Sequence, residues 1–86
     1  MRYEEIIEKL KEILVSADET KRDIIKNCSE ESWLVTDIGL TSVNILYMVI
    51  AIEEVFEMRF ENVSIMDFQK LGDVVEYIAE KKGIEK

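Results

Sequence analysis

One short segment of the chain combines residue types that could hold a phosphate-linked group. It reads Asp37-Ile38-Gly39-Leu40-Thr41-Ser42-Val43. Gly39 permits a tight backbone turn, and Ser42 follows in the first turn of a predicted helix, exposed at its positive end. A phosphodiester on the Ser42 hydroxyl would lie near free backbone amides and the helix dipole, which both favour an anion. The residues make Ser42 a good place for such a group but do not establish that one is attached.

Other kinds of chemistry are poorly supported by the residue types. The chain has no histidine, Cys28 is its only thiol, and no general base lies within sequence reach of Ser42. Nucleophilic catalysis therefore lacks its second group. Glu53 and Glu54 are adjacent on a predicted helix and point about 100° apart, which suits solvated charges better than joint acid–base work. Because the spacing of a metal site is also missing, we expect no catalytic residues and no metal.

The elements that must position Ser42 begin with an amphipathic helix and a long connection. Apolar residues at helical spacing predict the first helix over residues 3–15. The pattern then breaks over residues 16–40, a loop of about 25 residues that is long for a compact domain. Residues 23–26 are expected to supply a partial turn. Trp33-Leu34-Val35 is interpreted as an anchor that folds the loop back onto the core.

The second helix is predicted over residues 42–57, which places Ser42 at its start. Thr41 is the expected N-cap, because its hydroxyl can accept a hydrogen bond from a first-turn amide. Apolar residues at helical spacing predict a buried seam along this helix, formed by Ile45, Val49, Ile52 and Phe56. Leu46 and Met48 are predicted to widen the seam, one on either side.

The remaining sequence predicts a short helical turn around residues 64–68 and a last helix over residues 71–82. Lys81, Lys82 and Gly83 are typical helix stop signals. The predicted fold is all-α, a four-helix bundle of three long helices and one short, with the long loop between helices 1 and 2. We expect residues 1–86 to form a single domain.

Charge and hydropathy narrow the possible partners and location. The net charge is −8, and the stretch from Asn27 to Gln69 contains eight acidic residues and only one basic residue. Such a field repels nucleic acid and anionic membrane and attracts basic protein surfaces, although simple solubility is an alternative explanation. No apolar run approaches the roughly 20 residues that span a membrane, and the N-terminus lacks the layout of a signal peptide. We expect a cytoplasmic monomer that binds neither nucleic acid nor membrane.

The segment at Ser42 resembles the acyl carrier protein family, whose signature is Asp-Leu-Gly-x-Asp-Ser-Leu at the start of the second helix. The likeness continues through Ala51-Ile52-Glu53-Glu54-Val55-Phe56-Glu57 and Val75-Glu76-Tyr77-Ile78. It covers about half of the chain closely, and the first helix and long loop by layout. The motif follows a long loop and opens an amphipathic helix in an acidic chain, which makes the resemblance specific.

The resemblance implies that Ser42 carries a 4'-phosphopantetheine arm taken from coenzyme A by a phosphopantetheinyl transferase. Asp37, Gly39 and Thr41 are the matching motif positions around it. The thiol of the arm would hold acyl intermediates as thioesters for acyltransferases, ketosynthases or ligases of a fatty acid, polyketide or related pathway. Such a protein is a substrate of those enzymes and not an enzyme itself.

The resemblance also implies a docking surface on the second helix, which basic partner surfaces would contact. The matching candidates are Val43, Leu46, Ile50, Glu53 and Glu54. An alternative interpretation makes Leu46 a core residue. Glu53 and Glu54 can likewise be interpreted as ordinary solvated charges.

Several positions depart from the family pattern. Thr41 replaces an acid before the serine, Asn44 replaces a common aspartate, and Tyr47 stands where an acid is frequent in fatty acid carriers. These changes favour a dedicated carrier of a polyketide, nonribosomal peptide or other specialised pathway over primary fatty acid synthesis. The alternative from another class is an unmodified helical-bundle subunit with a structural or regulatory role.

Overall fold

The computed structural model describes residues 1–61 and 67–85, and their regular structure is helical. The four helices are α1 (Tyr3–Ala17), α2 (Arg22–Asn27), α3 (Ser42–Val55) and α4 (Leu71–Lys82), and a 3₁₀ turn at Glu19–Lys21 precedes α2. The only strand-like pairing in these residues is a single bridge between Trp33 and Lys70. The predicted all-α bundle is confirmed, and none of the described helices is long and apolar enough to cross a membrane.

The helix bounds follow from local signals. The last helix has the predicted bounds, and Gly83 ends it with a left-handed φ of 68°. The second long helix ends two residues before the predicted end, because Glu57 adopts a left-handed φ of 50°. The partial turn predicted at residues 23–26 is a short helix, α2. The turn predicted around residues 64–68 lies largely outside the described residues.

The core lies where α1 packs against α3, α4 and α2. It is built from apolar side chains that every helix and the long loop contribute, including Ile6, Leu10 and Leu14 of α1, Ile25 of α2, Leu34, Ile38 and Leu40 of the loop, Ile45, Met48, Ile52 and Phe56 at the inner face of α3, and Leu71, Val74 and Ile78 of α4. One detail of the predicted α3 seam is wrong, because Leu46 is exposed. Val49 is partly buried and packs against the core.

The loop before α3 is anchored by Leu34, and the expectation that Trp33 and Val35 are buried with it is wrong. Leu34 is fully buried, whereas Trp33 is 42% and Val35 59% exposed. Leu34 and Val35 lie in a turn that the Asp37 and Ile38 N–H groups close by donating to the Trp33 carbonyl at 3.1 and 3.0 Å, and only Leu34 faces the core. The Trp33 ring instead lies 5.1 Å from the ammonium of Lys70.

The same loop lies across the start of α4 and caps it with backbone groups. The Leu71 N–H donates to the carbonyl of Ser32 at 3.0 Å, and the Gly72 N–H donates to that of Glu30 at 2.9 Å. In return, the Leu34 N–H donates to the carbonyl of Gln69 at 2.8 Å. First-turn amides of a helix have no partner within the helix, so the loop satisfies two of them.

This close approach makes Gly72→Ala destabilising. A Cβ at position 72 would lie 3.0 Å from the Glu30 carbonyl oxygen, which is itself held by a hydrogen bond. Displacing the loop should lower the free energy of unfolding by about 1–2 kcal/mol, although alanine normally stabilises a helix. Urea denaturation measures the change, with the exposed Glu80→Ala of α4 as the control, expected within about 0.5 kcal/mol of wild type. A more stable Gly72→Ala variant would contradict the steric argument.

Candidate functional site

The turn that leads into Ser42 is built by the predicted motif residues. Gly39 has a φ of 82°, a conformation that residues with a side chain rarely adopt. The carboxylate of Asp37 accepts a hydrogen bond from the Trp33 N–H at 2.8 Å, so this acid closes the loop. Ile38 and Leu40 on either side of the glycine are buried. The turn therefore fixes the start of α3 against the core.

Thr41 caps α3 as predicted, and Asn44 completes the cap. The Asn44 N–H donates to Thr41 Oγ1 at 3.1 Å, and Asn44 Oδ1 accepts from the Thr41 N–H at 3.0 Å. Asn44 was not predicted to act here, because the usual reciprocal pattern has Glu or Gln at this position. With this cap at Thr41, Ser42 is the first residue of α3.

Ser42 and its neighbour Val43 offer an open site with unused hydrogen-bond donors. Both residues are exposed. Within residues 1–61 and 67–85, the backbone N–H groups of Ser42 and Val43 have no acceptor. First-turn amides at the positive end of a 14-residue helix suit an anion. The site thus fits a phosphodiester formed on the serine hydroxyl, whose oxygens those amides can bind.

Cys28, which carries the only thiol of the chain, has low nucleophilic reactivity. The Cys28 thiol donates a hydrogen bond to the Ile25 carbonyl at 2.9 Å, and burial raises the pKa of this thiol. A raised pKa keeps the less reactive protonated form at neutral pH. In the described part of the chain, no group of three or more cysteine or acidic side chains could hold a metal ion.

The outer face of α3 is apolar for two turns beyond Ser42. Val43, Leu46 and Ile50 lie on this face at i, i+3 and i+7, and Tyr47 extends it. Their exposed fractions are between 45% and 72%. Tyr47 was not predicted as a contact residue, although its position four residues after Val43 could have indicated it. We call Val43, Leu46, Tyr47 and Ile50 the apolar α3 face.

The two glutamates that follow this face differ in their surroundings. Glu53 is partly buried, and its carboxylate accepts a hydrogen bond from the Phe60 N–H at 3.0 Å. It therefore holds the chain after α3 in place. Glu54 is exposed at the edge of a groove of about 340 Å³ between α1 and α3. Of the two acids, Glu54 is therefore the more accessible.

Comparison with known proteins identifies relatives along nearly the whole chain. Over 75 residues the chain is 36% identical to the acyl carrier protein of Clostridium perfringens, covering 87% of this chain and 95% of that protein. Over 77 residues it is 31% identical to the acyl carrier protein of Wolinella succinogenes, covering 90% and 97%. The chain belongs to the acyl carrier protein family.

The family assignment confirms the resemblance found at the Ser42 motif. The acyl carrier protein of Thermotoga maritima is 29% identical over 83 residues, covering 93% of this chain and 95% of that protein. No protein-family model matches the chain. Because the three relatives match 87–93% of this chain, the likeness extends over the helices and the loop, well beyond the motif.

Proposed function

We propose that this protein is an acyl carrier whose Ser42 holds a 4'-phosphopantetheine arm. The observation that carries the proposal is Ser42 itself, exposed as the first residue of α3 beside two backbone amides that no described residue uses. Membership of the family implies such a prosthetic group. The thiol of the arm then holds biosynthetic intermediates as thioesters, and residues 1–86 act as one carrier domain in the cytoplasm.

Loading is a transfer of phosphopantetheine from coenzyme A. The Ser42 oxygen attacks the phosphorus that bears pantetheine, a new phosphodiester bond forms, and the pyrophosphate bond breaks to release 3',5'-adenosine bisphosphate. The hydroxyl proton goes to a base of the phosphopantetheinyl transferase, which also holds the magnesium ion. On this chain, Thr41 and Asn44 fix the helix start, and the amides of Ser42 and Val43 bind the phosphodiester oxygens.

The direct test incubates the purified protein with a phosphopantetheinyl transferase, magnesium and coenzyme A. Intact-protein mass spectrometry should show one added phosphopantetheine, and peptide fragmentation should locate it on Ser42. A protein that stays unmodified with several transferases, while a known carrier is modified in the same tube, would support the unmodified structural or regulatory subunit instead.

Partner enzymes are proposed to dock on the apolar α3 face, with Glu54 at its end. This face shows no acid between Ser42 and Glu53, so contact near the arm depends on burial of apolar area more than on charge. The absence of acids there supports a pathway-specific carrier of polyketide or related intermediates rather than a fatty acid carrier. Acyltransferases, ketosynthases or ligases with a basic rim around an apolar centre fit it.

We therefore expect Ile50→Ser to weaken docking without harming the fold. Because Ile50 is 56% exposed, burying the rest of it contributes about 1–1.5 kcal/mol, so kcat/KM of the transferase for the carrier should fall by about 5- to 12-fold. Ile24→Ser is the matched control, since Ile24 of α2 is 51% exposed and Ile50 is 56% exposed. Equal kinetics for the two variants would show that the apolar α3 face is not the contact surface.

A further inference from the structure

Lys21 places a positive charge at the same end of the bundle as Ser42. It is the last residue of the 3₁₀ turn after α1, and its side chain lies over Gly39, three residues before the serine. Its Nζ is 3.2 Å, and its Cε 4.0 Å, from the point that a Cβ of residue 39 would occupy. The lysine is half-buried. Because Gly39 has no side chain, the lysine stem can run across the turn that leads into α3.

The acids around Lys21 are engaged elsewhere. Glu19 pairs with Arg22, with 3.7 Å between Oε1 and Nη2. The Asp18 carboxylate accepts hydrogen bonds from both the hydroxyl and the amide of Thr20. The pKa of Asp18 is lowered chiefly by the Thr20 hydroxyl, with Lys21 the smallest contributor.

The ammonium of Lys21 therefore forms no ion pair with the acids of its own turn. Within residues 1–61 and 67–85, its Nζ forms no ion pair or hydrogen bond. The carboxylate of Asp37, on the neighbouring loop, is turned to the Trp33 amide. Because the ammonium forms no ion pair, an anion bound at this end of the bundle would be attracted to it.

We infer that Lys21 binds the phosphodiester of a phosphopantetheine arm on Ser42 as a counter-ion. The inference rests on the proposed function, because Ser42 must carry the arm. A flexible four-carbon stem with three N–H donors can turn from Gly39 to a phosphate oxygen. The amides and the ammonium would together fix the first atoms of the arm, so Lys21 is a positioning residue. The glycine at 39 then serves the lysine as well as the backbone turn.

The experiment compares unloaded and loaded forms of wild type, Lys21→Met and Lys26→Met. Lys26 is the control because it is an exposed lysine of the neighbouring α2, and its loss changes the net charge equally. In low salt, loading should raise the Tm of wild type and Lys26→Met by about 2–4 °C more than that of Lys21→Met. The phosphorus-31 resonance of the arm should move in Lys21→Met alone, and Lys21→Arg should restore it. Near 1 M salt, where the screening length is about 3 Å, the difference in Tm should disappear.

The outcomes separate this inference from the carrier assignment. If all variants are loaded at Ser42 but share one phosphorus-31 shift and one gain in Tm, Lys21 does not bind the arm and the carrier assignment stands. A Tm lowered equally in the unloaded and loaded forms of Lys21→Met would assign the lysine to fold stability and overturn the inference. A wild type that never accepts the arm removes the proposed function, and this inference with it.

Discussion

Ser42→Ala should abolish loading completely while leaving the bundle intact. The hydroxyl is the only atom group lost, and the residue is exposed at the first position of α3, where alanine is well tolerated. The free energy of unfolding should change by less than about 0.5 kcal/mol. Mass spectrometry after incubation with transferase and coenzyme A measures the loading, and circular dichroism on heating measures the fold.

Ser16→Ala is the matched control, because Ser16 is an exposed serine of α1 in the same bundle. It should be loaded at the wild-type rate. An alanine variant at position 42 that still acquires the arm would move the attachment site elsewhere and refute the assignment of Ser42.

Leu34→Ala should be among the most destabilising single substitutions in the loop. Leu34 is fully buried, its N–H donates to the carbonyl of Gln69 far along the chain, and its carbonyl accepts from the Leu40 N–H in the same loop. Truncating a buried leucine costs about 2–5 kcal/mol, a large part of the total stability of a domain this small. The Tm should fall by about 10–30 °C. Loading at Ser42 should slow as well near the new Tm, since the loop that leads to the serine loses its anchor.

Trp33→Ala is the informative comparison, since the sequence predicted Trp33, Leu34 and Val35 together as the anchor. Its ring is 42% exposed and contacts the Lys70 ammonium, an interaction worth about 0.5–1 kcal/mol. The loss of stability should therefore be several-fold smaller than for Leu34→Ala. The opposite order would mean that the tryptophan, and not the leucine, holds the loop.

What could be predicted from the sequence is what local signals determine. The bounds of α4 follow from one apolar stripe and the stop signals Lys81, Lys82 and Gly83, and they were predicted correctly. The Thr41 cap and the tight turn at Gly39 were predicted for the same reason, because each depends on residues within one turn of it. These two features define the backbone at Ser42, so most of the backbone geometry of the site could be predicted from the sequence.

What could not be predicted depends on distant residues or on a helix without a clear pattern. The position of Leu34 depends on a hydrogen bond from its N–H to the carbonyl of Gln69, which is far along the chain. In α3 nearly every face is apolar, so spacing alone could not decide that Met48 is buried and Leu46 exposed. The close approach of Gly72 to Glu30 likewise has no local sequence signal.

The backbone bonds between the loop and the start of α4 also have a consequence for the order of folding. The helices α1 and α3 can form early, because their hydrogen bonds join near neighbours. The bonds from Leu34 to Gln69 and from Gly72 to Glu30 close large stretches of chain, and contacts of that kind form late and slowly. We therefore expect the segment that presents Ser42 to reach its final shape only after α4 has docked. A transferase that recognises the folded loop would in this way select chains that have completed folding.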